Sequence, residues 1–210
     1  MDEKIKTMKK LVYITVMAFA MLTLMVSCHK DDVEPTPKDP ECDSSNTPFQ
    51  QLYAATLASD PDHVNEVTMD VITHEYTFRL SVAMQVCQIG YQSQPDLYAN
   101  NIPIDIEIED MLTSTLVYTG SYVFDDTQTD YVSIPPVSLQ ANREYTIRRN
   151  VTNHNGLMAN RIGRLIRHDL GNPITFPVTL GIMTITGADF YGVGSAPADF
   201  GIPFIDVVLR

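Results

Sequence analysis

The 210-residue chain carries 14 basic and 26 acidic side chains, a net charge of −12. This charge argues against general binding to nucleic acid or to an anionic bilayer, since both would repel it. The length suits one domain with a normal core plus a tether and is short for two domains. Thr, Val, Ile and Tyr are frequent and Trp is absent, a composition that favours strands.

The N-terminus has the order of a secretory signal. Four lysines precede the apolar run of residues 11–25, and the small Ser27 stands just before Cys28. The run is too short for a comfortable membrane span, and its basic, apolar, small-residue order is typical of an exported protein. We therefore expect a signal peptide over residues 1–27, with the start at either the first methionine or Met8.

The residues around Cys28 are similar to two export motifs. Met25-Val26-Ser27-Cys28 resembles the lipobox of bacterial lipoproteins, in which the cysteine is lipidated and becomes the mature N-terminus. Lys30-Asp31-Asp32 resembles the acidic export tag of surface lipoproteins in one group of Gram-negative anaerobes. The resemblance implies an outer-membrane protein held by a lipid on Cys28, with its folded part facing the cell exterior.

Residues 28–48 are rich in Asp, Glu, Pro and Ser, which predicts an extended, partly disordered tether. Cys42 lies in this segment, and Cys87 lies in a predicted strand. In an oxidising compartment the two could pair and close a 45-residue loop, which stabilises a fold by roughly 4 kcal/mol in the chain-entropy model. The alternative is a free tether cysteine and a small buried hydrophobic side chain.

One helix and a long alternating segment begin the folded part. Residues 49–59 carry a weak apolar stripe and predict a short helix that ends at Asp60-Pro61. Residues 75–86 alternate apolar and polar side chains, as in a strand with one buried face. Twelve residues is long for one strand, so we expect a bend near residues 82–84. The alternation changes phase at Cys87, which predicts a bulge or a crossing into a second sheet.

Further strands follow at short intervals. Residues 104–110 give the clearest one, with three isoleucines facing in and carboxylates facing out. The other expected strands are 115–124, 131–134 (stopped by Pro135-Pro136), 144–151, one or two within 174–186, and 202–209, with a long glycine-rich loop over 187–201. This spacing predicts an all-β domain over residues 49–210, an antiparallel β-sandwich of Ig-like or jelly-roll kind.

Several segments of the domain occur in a characteristic order. They are Ile89-Gly90-Tyr91, the strand of residues 104–110 with its acidic turn, the series Val132, Ile134, Pro136, Leu139, Tyr145 and Ile147, and Asp206-Val207-Val208. This order resembles a β-sandwich domain of unknown function found in bacterial surface and secreted proteins, and the likeness covers residues 75–210. The resemblance implies a surface-associated binding or spacer module, often suspected of carbohydrate binding, and transfers no catalytic residue.

The basic side chains of the domain are concentrated in one stretch. Six arginines fall between residues 143 and 167. Arginine forks suit carboxylate, sulfate or phosphate groups, so Arg161, Arg164 and Arg167 are candidates for holding an acidic glycan or a lipid head group. The alternative is that these arginines pair with the protein's own excess of carboxylates.

Three aromatic residues are candidates for a sugar platform. Tyr98 and the pair Phe190-Tyr191 lie in loop-like contexts where core packing does not obviously require them. A sugar site needs a flat aromatic surface with polar groups beside it. The absence of Trp weakens this interpretation, and tyrosines of a sandwich are more often core or edge residues.

The sequence contains no motif that indicates catalysis or a cofactor. Its histidines lack metal-ligand spacing, and no nucleophile-elbow, zinc-protease or phosphate-loop pattern occurs. The carboxylates of residues 105–110 predict a solvated strand face, and the acidic loop 125–130 lacks the glycine and spacing of a calcium loop. We expect no catalytic residue, metal or cofactor, and no enzyme activity.

These observations predict a non-catalytic surface module that binds a glycan. The alternative is a structural or adhesin subunit that contacts other surface proteins by strand pairing. Exposed aromatic side chains in one concave patch would favour the glycan, whereas a long unprotected edge strand would favour assembly. The expected partners are the membrane, through the lipid on Cys28, and a glycan or a surface protein.

Overall fold

The computed structural model describes residues 42–68, 71–154, 156–157, 163–192, 194–195 and 197–210. All of them belong to one compact unit, Pro40–Arg210. The predicted signal peptide, the lipidation site Cys28 and the candidate Arg161 lie outside the described residues. No described helix is long and apolar enough to cross a membrane.

Antiparallel strands make up most of the described chain, and the predicted all-β sandwich is confirmed. The elements are α1 (Pro48–Ser59), β1 (His63–Thr68), β2 (Thr73–Leu80), β3 (Met84–Tyr91), α2 (Pro95–Ala99), β4 (Ile104–Asp110), β5 (Thr115–Tyr122), β6 (Asp130–Leu139), β7 (Glu144–Asn150), β8 (Gly163–His168), β9 (Val178–Leu180), β10 (Met183–Gly192), β11 (Gly194–Ser195), β12 (Gly201–Pro203) and β13 (Asp206–Leu209). The large sheet has the order β11-β10-β2-β7-β4-β5, with β9 also paired to β10, and the small sheets have the orders β1-β8-β12 and β13-β3-β6. Side chains from all three sheets share one hydrophobic core.

Helix α1 coincides with the predicted helix and packs into that core. The Thr47 hydroxyl accepts a hydrogen bond from the Gln50 backbone N–H at 3.0 Å and caps the first turn. The ring of Phe49 stacks on Tyr76, with 5.2 Å between ring centroids. The helix therefore covers buried side chains of the large sheet.

The predicted bend within residues 75–86 is confirmed. β2 ends at Leu80, β3 begins at Met84, and the two strands belong to different sheets. One continuous alternating pattern thus supplies two layers of the sandwich, because the chain changes sheet at Ser81 to Ala83.

The predicted end of a strand before Pro135-Pro136 is wrong, because β6 continues through both prolines to Leu139. β6 is an edge strand of its sheet, and its register to β3 shifts on either side of Cys87. The prolines fall in this irregularity, where a missing N–H costs no regular ladder hydrogen bond. The same shift confirms the bulge expected at Cys87.

The predicted loop over residues 187–201 is wrong in its first part, because β10 runs on to Gly192. A bulge after Ile185 shifts the register to β2, and Ala188 and Phe190 then turn into the core. The glycines that suggested a loop concealed this alternation.

The folded part begins earlier than the predicted end of the tether. Cys42 and Cys87 form a disulfide, with 6.1 Å between their Cα atoms. The hydroxyl of the buried Thr47 donates to Asp206 Oδ1 at 2.7 Å. Residues 42–47 are therefore fixed to β3 and β13 and are not free spacer.

Candidate functional site

The aromatic residues predicted as a sugar platform do not form one. Phe190 is fully buried, with its ring 4.9 Å from that of His74 between centroids, so the prediction for Phe190 is wrong. Its neighbour Tyr191 is exposed, and its hydroxyl donates to Glu75 Oε2 at 2.9 Å. Tyr98 is exposed on the short helix α2. The predicted pair therefore offers one tyrosine and no stacked surface.

Three of the clustered arginines pair with carboxylates of the protein itself. The pairs are Arg143 with Asp110, Arg148 with Glu75, Glu107 and Glu109, and Arg167 with Glu66 and Asp169. Arg149 is fully buried, and its Nη1 donates to the carbonyl oxygen of Ile72 at 2.8 Å. Burial lowers the pKa of Arg149. The fork of Arg167, a predicted ligand contact, is engaged within the protein.

Arg164 differs from these, because it lines a cavity without a carboxylate partner. In the described part of the chain its guanidinium forms no ion pair, and its Nε atom has no hydrogen-bond partner. The guanidinium carbon lies 3.5 Å from the centroid of the Phe204 ring and 5.9 Å from that of Tyr53. Cation–π contact holds the side chain without neutralising its charge.

The cavity beside Arg164 has a volume of about 400 Å³, within the range of small-ligand sites. Helix α1 supplies one wall, because Gln50, Tyr53 and Leu57 recur at three- and four-residue spacing and share a face of the helix. Asn65 of β1 and Tyr131 of β6 also line the cavity. Helix, arginine and aromatic rings meet here only because β8 and β12 pair beside α1.

A buried hydrogen-bond network lies behind this wall. Asp206 Oδ2 accepts from the Tyr131 hydroxyl at 2.9 Å and from the Gln50 amide at 2.8 Å, while Thr47 engages Oδ1. Burial raises the pKa of Asp206, against the opposing pull of these donors and of Arg164. Burial and the charge of Asp206 also raise the pKa of Tyr131. Because other donors satisfy Asp206, Arg164 forms no ion pair with it. Burial raises the pKa of Tyr53, and the Arg164 guanidinium opposes that rise through its charge and a hydrogen bond.

The arrangement is suited to recognising an anionic group on a polar molecule. A guanidinium offers paired N–H donors to a carboxylate or sulfate. The Asn65 oxygen accepts from the Tyr53 hydroxyl at 3.0 Å, and the N–H₂ of the same amide can donate to a hydroxyl group. The described residues that line this cavity include no histidine, cysteine or carboxylate. The polar groups of this lining are the Arg164 guanidinium, amides and hydroxyls, which can bind a ligand through hydrogen bonds.

A larger cavity, of about 510 Å³, lies beside His63 and His168. Near it, Asp60, Asp62 and His168 bring possible metal-ligand atoms within 4.8 Å of one another. The His168 Nδ1 accepts from the Leu170 backbone N–H at 3.1 Å, so its Nε2, which faces Asp62 at 3.9 Å, carries the proton. For Nε2 to bind a metal, the ring proton would have to move to Nδ1 and the hydrogen bond from Leu170 would be lost, so the cluster as it stands presents no unprotonated ring nitrogen to an ion.

The acidic loop 125–130 closes on itself. Asp125 Oδ1 accepts from the backbone N–H of Thr127 at 2.7 Å and from its hydroxyl at 2.6 Å. These hydrogen bonds lower the pKa of Asp125. Asp125 Oδ1 is therefore engaged within the turn.

Sequence reasoning selected Arg164 but missed the residues around it. Tyr53 lay in a predicted helix, and Tyr131 and Phe204 lay in predicted strands. The helical spacing of Gln50 and Tyr53 was visible, but their approach to Arg164 depends on pairings between distant strands. Comparison of the chain with protein-family models and with curated proteins gives no match.

Proposed function

We propose that this protein is a non-catalytic binding module whose Arg164 cavity takes a sugar bearing a carboxylate or sulfate group. The observation that supports this is a guanidinium held over an aromatic ring, without a carboxylate partner, in a cavity of about 400 Å³. A charged hydrogen bond of this kind contributes about 1.5–3 kcal/mol. The side-chain N–H₂ of Asn65, whose oxygen is held by Tyr53, supplies a donor for a sugar hydroxyl.

The acidic character of the protein shapes this binding. The net charge of −12 repels an anion at long range, so selectivity depends on the short-range fit to the Arg164 fork. Added salt screens that repulsion and also weakens the contact itself. We expect binding of acidic sugars to depend less on salt than binding to a basic patch would.

The N-terminal motif supports a location for this activity. Because Met25-Val26-Ser27-Cys28 resembles a lipobox, we place the domain on the outer face of the outer membrane, held by a lipid on Cys28. The segment before Cys42 would serve as the spacer between lipid and domain. At that surface the module would meet polysaccharides of the cell's surroundings.

A glycan array tests the proposal with the full chain carrying Cys28→Ser, which cannot be lipidated. We expect binding to carboxylated or sulfated glycans and not to their neutral counterparts. Arg164→Gln should weaken that binding roughly ten- to a hundredfold, the loss expected for one charged hydrogen-bond pair. The matched control is Arg167→Gln on the same strand, whose fork is taken by Glu66, and it should bind as the parent does.

Two further variants separate this site from the one that the sequence suggested. Tyr98→Ala and Tyr191→Ala should leave binding unchanged, because neither residue lines the Arg164 cavity. Binding lost with Tyr98→Ala or Tyr191→Ala but retained with Arg164→Gln would move the site to the exposed tyrosines. An array without acidic-glycan binding would contradict the proposed ligand class.

A further inference from the structure

β5 is an edge strand that is open to pairing. It ends the large sheet and pairs with β4 along one side, and within the described residues no strand pairs with its other side. Its sequence, TLVYTGSY, contains neither a charge nor a proline. Charges and prolines are among the devices by which edge strands avoid pairing.

The other described sheet edges are short or blocked. β13 has 4 residues, β12 and β9 have 3 each, and β11 has 2. β6 carries Pro135-Pro136, and β1 carries Glu66, which pairs with Arg167. β5 is therefore the long edge of the described sheets that lacks protection.

Exposed apolar side chains extend along this edge. Leu116 and Val117 of β5 are exposed, as are Met111 and Leu112 in the turn before it, and Leu112 is 78% exposed. Isolated exposed apolar residues are normal, but a group beside an open strand edge indicates an interaction surface.

The core-facing side of β5 provides an apolar floor for a neighbour. The Tyr118 and Tyr122 hydroxyls hydrogen bond to each other across Gly120, and a side chain at Gly120 would collide with both. Both tyrosines are half-buried. An apolar side chain of an added strand would pack against these rings.

The outward side of β5 favours a partner with positive charge. Thr119 and Ser121 of β5 are short and neutral and lie opposite Glu107 and Asp105 of β4. Glu107 contacts Arg148 at 3.4 Å, but Glu75 and Glu109 share that one guanidinium, so this face keeps a negative charge. A strand added beyond β5 lies roughly 10 Å from β4, two strand spacings, which a long cationic side chain can span. A second copy would bring an equally acidic face to this edge, so like charges oppose self-pairing.

We propose that β5 pairs with an extended segment of another protein in which apolar side chains alternate with lysine or arginine. Main-chain hydrogen bonds to the open edge supply affinity. The alternation supplies selectivity, because successive side chains of a strand point to opposite faces. The apolar set covers the Tyr118 and Tyr122 rings, and the cationic set faces the carboxylates of β4.

A synthetic octapeptide with blocked ends and alternating Val and Lys is the probe, with the full chain carrying Cys28→Ser as the receptor. We expect slowed amide exchange at residues 115–122 when the peptide is added. Two control peptides should each bind at least tenfold more weakly: one N-methylated at every second residue, which loses strand hydrogen bonds, and one with Glu in place of Lys.

Matched variants locate the contact. Thr119→Lys places a cation beside the peptide's lysines and should weaken binding at least fivefold, with the urea midpoint unchanged because Thr119 is exposed. Thr179→Lys, on the short strand β9, should bind as the parent does. Equal binding of the three peptides, or slowed exchange elsewhere than β5, would overturn the proposal. If amide exchange at β5 slows with rising protein concentration in the absence of peptide, the partner of β5 is a second copy of this chain and not another protein.

Discussion

Arg148 and Arg164 belong to one arginine-rich stretch of the sequence, but they lie in opposite electrostatic surroundings. Arg148 donates to Glu75 at 2.9 Å and to Glu109 at 2.6 Å on the acidic face of the large sheet. Arg164 lies on the ring of Phe204 beside a cavity. The difference shows that an arginine cluster in sequence is not a basic patch in space. One guanidinium is paired with carboxylates, and the other lies on an aromatic ring without an ion pair in the described residues.

Removal of the disulfide should cause the largest loss of stability, and it should act on the wall of the Arg164 cavity. Cys42 lies two residues before Ser44, which lines the Arg164 cavity, so the Cys42→Ser, Cys87→Ser double variant should loosen that wall and leave the Arg148 face intact. Opening a 45-residue loop should lower the free energy of unfolding by about 2–4 kcal/mol, the typical range for a disulfide, of which the chain-entropy model gives the upper end. Urea unfolding measures the change.

The control for this variant is the parent protein unfolded in the presence of a reductant. Reduced parent and double variant should have the same urea midpoint, since both lack the cross-link. A variant as stable as the oxidised parent would show that residues 42–47 are held without the disulfide.

Arg148→Met should produce the next largest loss of stability, because it removes the cation from the acidic face of the large sheet. It leaves Glu75, Glu107 and Glu109 close together without their shared cation. We expect a loss of about 2 kcal/mol in the free energy of unfolding, below the full cost of a buried pair because the side chain remains 19% exposed. Urea unfolding at low salt measures it.

Arg79→Met is the matched control, because Arg79 is exposed on the neighbouring strand β2. Its effect should stay within about 0.5 kcal/mol, as for an ordinary surface substitution. Equal effects of the two variants would mean that the carboxylates around Arg148 do not depend on its charge.

Local patterns predicted the regular parts of this fold well. The alternation in residues 104–110 specified a strand that the structure places at the same positions, and the phase change at Cys87 marked a real bulge. Two of the errors, at Pro135-Pro136 and after Gly187, have a common cause, whereas the strand expected over residues 202–209 is wrong because the chain changes sheet between β12 and β13. A residue that disfavours a regular strand is tolerated at an edge or bulge, and edges follow from the order of strands in a sheet.

The candidate site was less accessible to sequence reasoning. Arg164 was named because it is an arginine in a cluster, and Arg167 was named on the same grounds although Glu66 occupies its fork. What separates them is the partner across the strand, which the chain order does not reveal. The burial of Phe190 likewise depended on the bulge that turns β10 into the core.

Asp206, which lies near Arg164, and Asp110, which pairs with Arg143, should make the stability of the protein depend on pH in opposite directions. Burial raises the pKa of Asp206 above its ordinary 3.8, so folding favours its protonated form. The stability of the parent relative to Asp206→Asn should be greatest below pH 3.8 and should fall as pH rises through the raised pKa. Urea unfolding of both proteins across that range measures the trend.

Asp110, on the ion-paired side, serves as the control with the reverse sign. Although burial acts to raise it, hydrogen bonds from Arg143 and Leu112 lower the pKa of Asp110. The parent's advantage over Asp110→Asn should therefore be present above pH 3.8 and disappear as pH falls through the lowered pKa. Parallel trends for the two aspartates would contradict the assigned environments.

Arg164→Met should have a much smaller effect on stability than Arg148→Met, which distinguishes a ligand contact from a structural one. The substitution removes a cation–π contact of about 1 kcal/mol but also removes a partly buried charge that no carboxylate pairs with, so the two effects offset. We expect a change within about 1 kcal/mol by urea unfolding, well below that of Arg148→Met. Since Arg164 also lowers the pKa of Asp206, that pKa should rise further in the variant. A loss as large as that of Arg148→Met would make Arg164 a structural residue and would weaken the case for a site beside it.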